Sequence, residues 1–141
     1  MCLDFIAMWH ERAHPNPDSK ALGVSLGVHA EEFVEMLESL EPTEAILNAR
    51  QAVGALAELW KEGIHYPMIA DRNGMLDSLA DQIVTAMGVG HCANMRTTEA
   101  CRRVNHSNWS KFDRDGKPIF KPNGKVDKGP DYARPDLSGL Y

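Results

Sequence analysis

Met75-Leu76-Asp77-Ser78-Leu79-Ala80-Asp81-Gln82-Ile83-Val84-Thr85-Ala86-Met87-Gly88-Val89 decides how the chain is read. Wound at about 100° per residue, this stretch is apolar around most of its circumference. Leu76, Leu79, Ala80, Ile83, Val84, Ala86 and Met87 cover the wall, and Asp77, Ser78, Asp81 and Thr85 form a narrow polar strip. A helix apolar nearly all round is expected in the interior of a domain. Unpaired carboxylates there cost several kcal/mol each, so Asp77 and Asp81 call for a cation, either Lys/Arg or a metal.

The rest of the chain reads as helices on either side of this one. Leu3 to about Arg12 carries Leu3, Phe5-Ile6 and Trp9 at helical spacing, and Pro15 and Pro17 break it. Asp18 or Ser19 caps a second helix that runs to about Leu40, with Leu22, Leu26, Phe33, Val34, Leu37 and Leu40 as its apolar face. Thr43 begins a third, ending near Gly63, with Val53, Leu56, Ala57 and Trp60 turned inward. Lys61 to Pro67 is a loop, and Asn73-Gly74 marks the start of the central helix, which continues to about Met95. Thr97 or Thr98 caps a fifth, reaching about Lys111. Beyond Phe112, the Asn123-Gly124 pair between short extended runs predicts a β-hairpin, followed by an irregular tail that lies against the body. The expected fold is therefore all-α, a helical bundle of about five helices. The single domain spans 1–141, with its helical body over about 1–112 and hairpin and tail over about 113–141.

Composition narrows the function classes. The net charge of −5 argues against general nucleic-acid binding. No apolar run approaches membrane-spanning length. The opening residues lack the basic region of a signal peptide. Three cysteines, Cys2, Cys92 and Cys101, make no CxxC pair, so neither a disulfide framework nor a thiolate zinc site is expected. A cytoplasmic setting fits best.

Three constellations carry chemistry. In Glu31-Glu32-Phe33-Val34-Glu35, Glu32 and Glu35 stand i, i+3 and can both reach one hard cation. For this cluster alone the plainer reading, a solvated acidic face, leads, and Glu38 belongs to that face. Asp77 and Asp81, one turn apart, are metal ligands or partners of a buried cation on even terms. Taken together, two acidic pairs on two helices suit an all-oxygen site for Mg²⁺ or Mn²⁺ rather than zinc. Asn105, Asn108 and Lys111, at i, i+3, i+6, offer amides and an ammonium to phosphate oxygens, or simply end a polar helix. Trp9 and Trp109 can stack on a nucleobase, though core packing is the commoner fate of tryptophan. The histidines show no zinc spacing; Glu62-Gly63-Ile64-His65 fits ExxH by chance at a helix end.

In this order the pieces resemble the MazG-like all-α NTP pyrophosphohydrolases, especially the form found in phages. That family carries EExxE on one helix and ExxD on a later one. Glu31-Glu32-Phe33-Val34-Glu35 matches the first motif in full. Ser78-Leu79-Ala80-Asp81 matches the second at Asp81, with Ser78 where a glutamate is usual and Asp77 placed to substitute. Val104-Asn105-x-Ser107-Asn108-x-Ser110-Lys111, Asp115-Gly116-Lys117-Pro118-Ile119 and Lys128-Gly129-Pro130-Asp131-Tyr132 are similar to the family's C-terminal region.

The resemblance implies an antiparallel bundle assembled as a homodimer or homotetramer. It implies Mg²⁺-dependent cleavage of nucleoside triphosphates to monophosphate and pyrophosphate, with deoxynucleotides, purine ones such as dGTP and dATP among them, as the expected substrates in a phage or bacterial pool. A phage-encoded enzyme would act in the host cytoplasm. Glu32, Glu35, Asp77 and Asp81 would then hold metal, and Glu31 or Glu35 would orient the attacking water. Asn105, Asn108 and Lys111 would grip phosphate or sugar, with Lys128 and Tyr132 closing over them. The competing expectation is a non-catalytic helical interaction protein; a di-metal carboxylate bundle oxidoreductase would need two well-placed ExxH motifs, which the chain lacks.

Overall fold

A computed structural model of the chain describes residues 2–63 and 67–141. The elements are helices throughout: α1 (Cys2–Ala13), α2 (Ser19–Glu38), α3 (Glu44–Lys61), α4 (Arg72–Cys92) and α5 (Thr97–Trp109). None of the described helices is long and apolar enough to cross a membrane. Ile64, His65 and Tyr66, which include the histidine of the ExxH stretch, lie outside the described residues.

The helix starts follow capping chemistry. Asp18 accepts from the Ala21 amide at 2.8 Å and Thr43 from the Ile46 amide at 3.3 Å, each satisfying one of the amides a helix leaves unpaired at its start. For α4 the cap lies earlier than Asn73-Gly74 suggests, because Asp71 takes both the Asn73 and Gly74 amides. At the head of α5 the sequence expectation of a threonine cap does not hold. Arg96 occupies the cap position without a side-chain bond, and its own amide donates to the Leu140 carbonyl at 2.8 Å.

Two helix ends fall short of their expected limits. α4 stops at Cys92 rather than Met95: Asn94 enters the left-handed region at φ 57°, and the Met95 amide turns back to the Gly90 carbonyl. α5 stops at Trp109 because Ser110 donates its hydroxyl back to the Ser107 carbonyl at 2.7 Å. Lys111 therefore lies beyond the helix.

The chain forms two compact units. One comprises Asn16–Met68 and Phe120–Lys125, and α2 packing on α3 is its frame. At Gly27 the two helices approach closely. A Cβ there would stand 2.6 Å from Lys61 Cγ and 2.8 Å from the Ala57 carbonyl oxygen, so only glycine lets the two helices meet. The buried line on α2 is Gly23, Val24, Gly27 and Leu37, while Phe33 and Leu40 of the expected face are exposed. On α3, Ala57 and Lys61 are buried and Leu56 is exposed.

The other unit comprises Met1–Pro15, Ile69–Ile119 and Val126–Tyr141. Here α5 is the helix on which both α1 and α4 pack. Its core is Trp9, Ala13 and Phe112, with Trp109 and Val126 against them. The Trp9 and Phe112 rings stack nearly parallel at 5.6 Å, and the Trp9 indole N–H donates to the Asn108 carbonyl at 2.8 Å.

Two expectations need correction. The predicted C-terminal β-hairpin does not form as paired strands. The Asn-Gly turn is present, with Gly124 at φ 90° and the Lys121 amide bonded to the Lys125 carbonyl. The flanks carry only single-residue bridge positions at Phe120 and Val126. Pro118 and Pro122 have no N–H to give a ladder, which leaves a turn without strands.

Nor is α4 an interior helix in the single chain. Leu76 is 70% exposed, Val84 67% and Val89 61%, and Gly90 is its one buried residue. Asp77 and Asp81 stand in solvent with it. Periodicity alone records that the wall is apolar, not which molecule covers it.

Candidate functional site

On α2 the acids divide by their partners. Glu31 is the anchor of a lysine pair: Lys61 Nζ lies 2.9 Å from one carboxylate oxygen and Lys125 Nζ 2.8 Å from the other. Lys61 also pairs with Glu58, one turn before it. Partial burial pushes the Glu31 carboxyl upward, but hydrogen bonds from Lys125 and Lys61 and their charges outweigh it and hold the group below its ordinary range. For Lys61, burial works against the ammonium, yet its bonds to Glu58 and Glu31 keep it above the usual lysine value.

Glu38 pairs with Arg50 at 2.8 Å, in keeping with its reading as a surface acid. Glu32 and Glu35 are exposed one turn apart. No Lys or Arg among the described residues pairs with Glu35, Asp77 or Asp81. The two α2 acids belong to one compact unit and the α4 pair to the other. Among the described residues no group of three or more His, Cys, Asp or Glu stands gathered as a metal cluster. The donor chemistry still fits a hard cation. Mg²⁺ is commonly held by one or two carboxylates, with water and substrate phosphates completing its octahedron, and each helix presents two carboxylates at one-turn spacing.

The polar face expected on α5 is split. Asn105 is buried, at 8% exposure, and lines a groove between α1 and α5. Asn108 contributes its carbonyl to Trp9. Lys111, past the helix end, places Nζ 5.9 Å from the centre of the Trp9 ring. Trp9 itself is a core residue here, its indole N–H already engaged.

Lys128 and Tyr132 are brought together, the ammonium 5.0 Å from the ring centre. Gly129 between them lies so close to the Lys111 and Phe112 carbonyls that a Cβ would come within 2.6 Å of each oxygen. The tail segment is thereby seated beside Lys111.

Sequence reasoning missed the fastening of that tail. Ser107 donates to the Ala133 carbonyl at 2.6 Å, the Ala133 amide donates to Ser110 Oγ at 2.9 Å, and Arg103 reaches the Asp136 carbonyl at 2.7 Å. The Ser-x-x-Ser spacing of residues 107 and 110 was the available signal, since i, i+3 serines share a face. It also missed the groove of about 710 Å³ whose walls include Phe5, Met8, His106 and Trp109. Beside it Glu99 takes bonds from Arg102 and Arg103, which pull its carboxyl down to about 2.

No family model matches the chain, and neither a curated protein nor a solved structure does.

Proposed function

We propose that this protein is a Mg²⁺-dependent nucleoside triphosphate pyrophosphohydrolase that releases monophosphate and pyrophosphate, with Mn²⁺ able to substitute. The observation that carries the reading is the partition of the acids. Glu31 and Glu38 are neutralised by lysine and arginine, whereas Glu35 and Asp81, at positions where the MazG-like motifs put metal ligands, and Asp77, one residue before the motif's glutamate position, pair with no Lys or Arg among the described residues. Glu32, Glu35, Asp77 and Asp81 are the proposed ligands. Held by the acid pair of either helix, Mg²⁺ would supply charge neutralisation to the triphosphate and would lower the pKa of a water for in-line attack.

The protein's own groups do the remaining work. Glu35 orients the water, and Glu31, fixed by its two lysines, holds α2 in place. Lys111, Lys128, Asn108 and Tyr132 meet phosphate and sugar. An exposed apolar α4 favours a homo-oligomer in which a second copy covers it and completes an antiparallel bundle, because soluble monomers rarely expose large contiguous apolar patches.

The same exposed helix is what a non-catalytic helical interaction protein would present, and one assay separates the two. Incubation with a panel of ribo- and deoxynucleoside triphosphates and Mg²⁺ should yield monophosphate and pyrophosphate, and EDTA should stop it. No release from any nucleotide would leave the interaction reading standing, and orthophosphate in place of pyrophosphate would overturn the proposed site of cleavage.

A further inference from the structure

We propose that the groove between α1 and α5 is a purine pocket and that Asn105 is the residue that reads the base. Among the described residues no hydrogen bond reaches the Asn105 side chain, although the residue is only 8% exposed and lines the groove. Neither atom of the amide is fully enclosed, so its donor and acceptor both stay open to a ligand or to water. The amide presents a donor and an acceptor side by side. That pattern matches the edge of a base, where an amino or ring N–H adjoins a ring nitrogen or carbonyl.

The walls fit the faces of the same ligand. Phe5, Met8, His106 and Trp109 give a lining that is chiefly apolar, and aromatic side chains hold bases by stacking worth about 1–3 kcal/mol each. A double ring covers more of such a wall than a single one, which favours purine over pyrimidine. The Glu99 carboxylate is occupied by Arg102 and Arg103, so it is not the group that meets the base. Of the two tryptophans able to stack on a base, Trp9 is packed in the core, which leaves Trp109 and Phe5, 56% exposed, for that role.

This deepens the hydrolytic reading, since the base would be that of the triphosphate, but its test needs neither metal nor turnover. Deoxyadenosine and deoxyguanosine monophosphates are titrated into the metal-free protein while the Trp109 indole N–H resonance, assigned with Trp109→Phe, is followed. Both purines should shift it, and the pyrimidine monophosphates should bind at least tenfold more weakly. Asn105→Ala and Phe5→Ala should each weaken purine binding about tenfold or more. Phe5 is exposed, so its truncation leaves the core intact should Asn105→Ala fail to fold.

An unmoved Trp109 resonance, or pyrimidines bound as well as purines, overturns the pocket. So does triphosphate hydrolysis with unchanged KM in both variants, and that result spares the hydrolytic reading. Purine binding lost in the variants of a protein that releases no pyrophosphate supports the pocket and refutes the hydrolysis.

Discussion

Lys125 Nζ donates to Glu31 Oε2 at 2.8 Å across 94 residues of sequence, clasping the turn after Pro122 to the acidic stretch of α2. With Lys61 on the other oxygen, Glu31 balances one buried and one half-exposed lysine. A glutamate so occupied is a structural member of its motif rather than a ready ligand.

The sign of the pH dependence follows from that clasp. The folded carboxyl titrates below its ordinary value of 4.5, so its contribution is present above about pH 4.5 and is lost as pH falls through the lower folded value. Glu31→Gln should therefore destabilise the protein by about 1–3 kcal/mol at pH 7, because the buried Lys61 ammonium keeps only Glu58 and the Lys125 ammonium loses its carboxylate. Urea unfolding of both proteins from pH 7 to pH 3 should show the gap closing on the acid side; a gap that widens there contradicts the assignment.

Two glycines at helix interiors make a matched pair. Gly27→Ala should cost about 1–3 kcal/mol, since the added methyl meets the Ala57 carbonyl and the Lys61 stem. Gly54→Ala on α3, with nothing within 4 Å of its Cβ position, should instead gain up to about 1 kcal/mol of helix propensity. Denaturant midpoints that move in opposite directions, down for Gly27→Ala and up for Gly54→Ala, are the check.

Carboxylate function is tested by three substitutions on two helices. Glu35→Gln and Asp81→Asn should each lower Mg²⁺-dependent pyrophosphate release by about two orders of magnitude or more, because several kcal/mol of charge stabilisation goes with the metal. Glu38→Gln, which loses only a surface pair with Arg50, should leave the rate within about twofold. Undiminished activity in both of the first two variants removes the proposed ligands.

The uncovered wall of α4 gives a prediction about assembly. Val84→Glu with Val89→Glu places charge on its exposed apolar face and should shift the protein toward monomer in sedimentation equilibrium, with helical content retained. Wild-type protein that sediments as a monomer at tens of micromolar would show that no second copy covers this face.

Helix existence was legible in the chain because capping residues and breakers are local: Asp18, Thr43 and Pro42 act on their neighbours, and α2 and α3 lie within two residues of their expected bounds. What was not legible depends on contacts distant in sequence. Gly27 reads as a helix weakness until Lys61 and Ala57 are seen against it. Trp9 reads as a free stacking surface until Phe112 and the Asn108 carbonyl claim it. The hairpin failed for a local reason that the turn signal masked, two prolines in the flanks. For the candidate site, the sequence marks which acids are present, but only the lysines at 61 and 125 distinguish Glu31 from Glu35.

The fastening of the C-terminal segment is indifferent to spelling. Ser107 and Ser110 grip residue 133 by its peptide carbonyl and amide, groups that every amino acid but proline provides. The segment's outward side chains are thus free to diverge, altering what the surface offers to a ligand without loosening the knot, and an imino acid at 133 is the single change of residue there that would untie it.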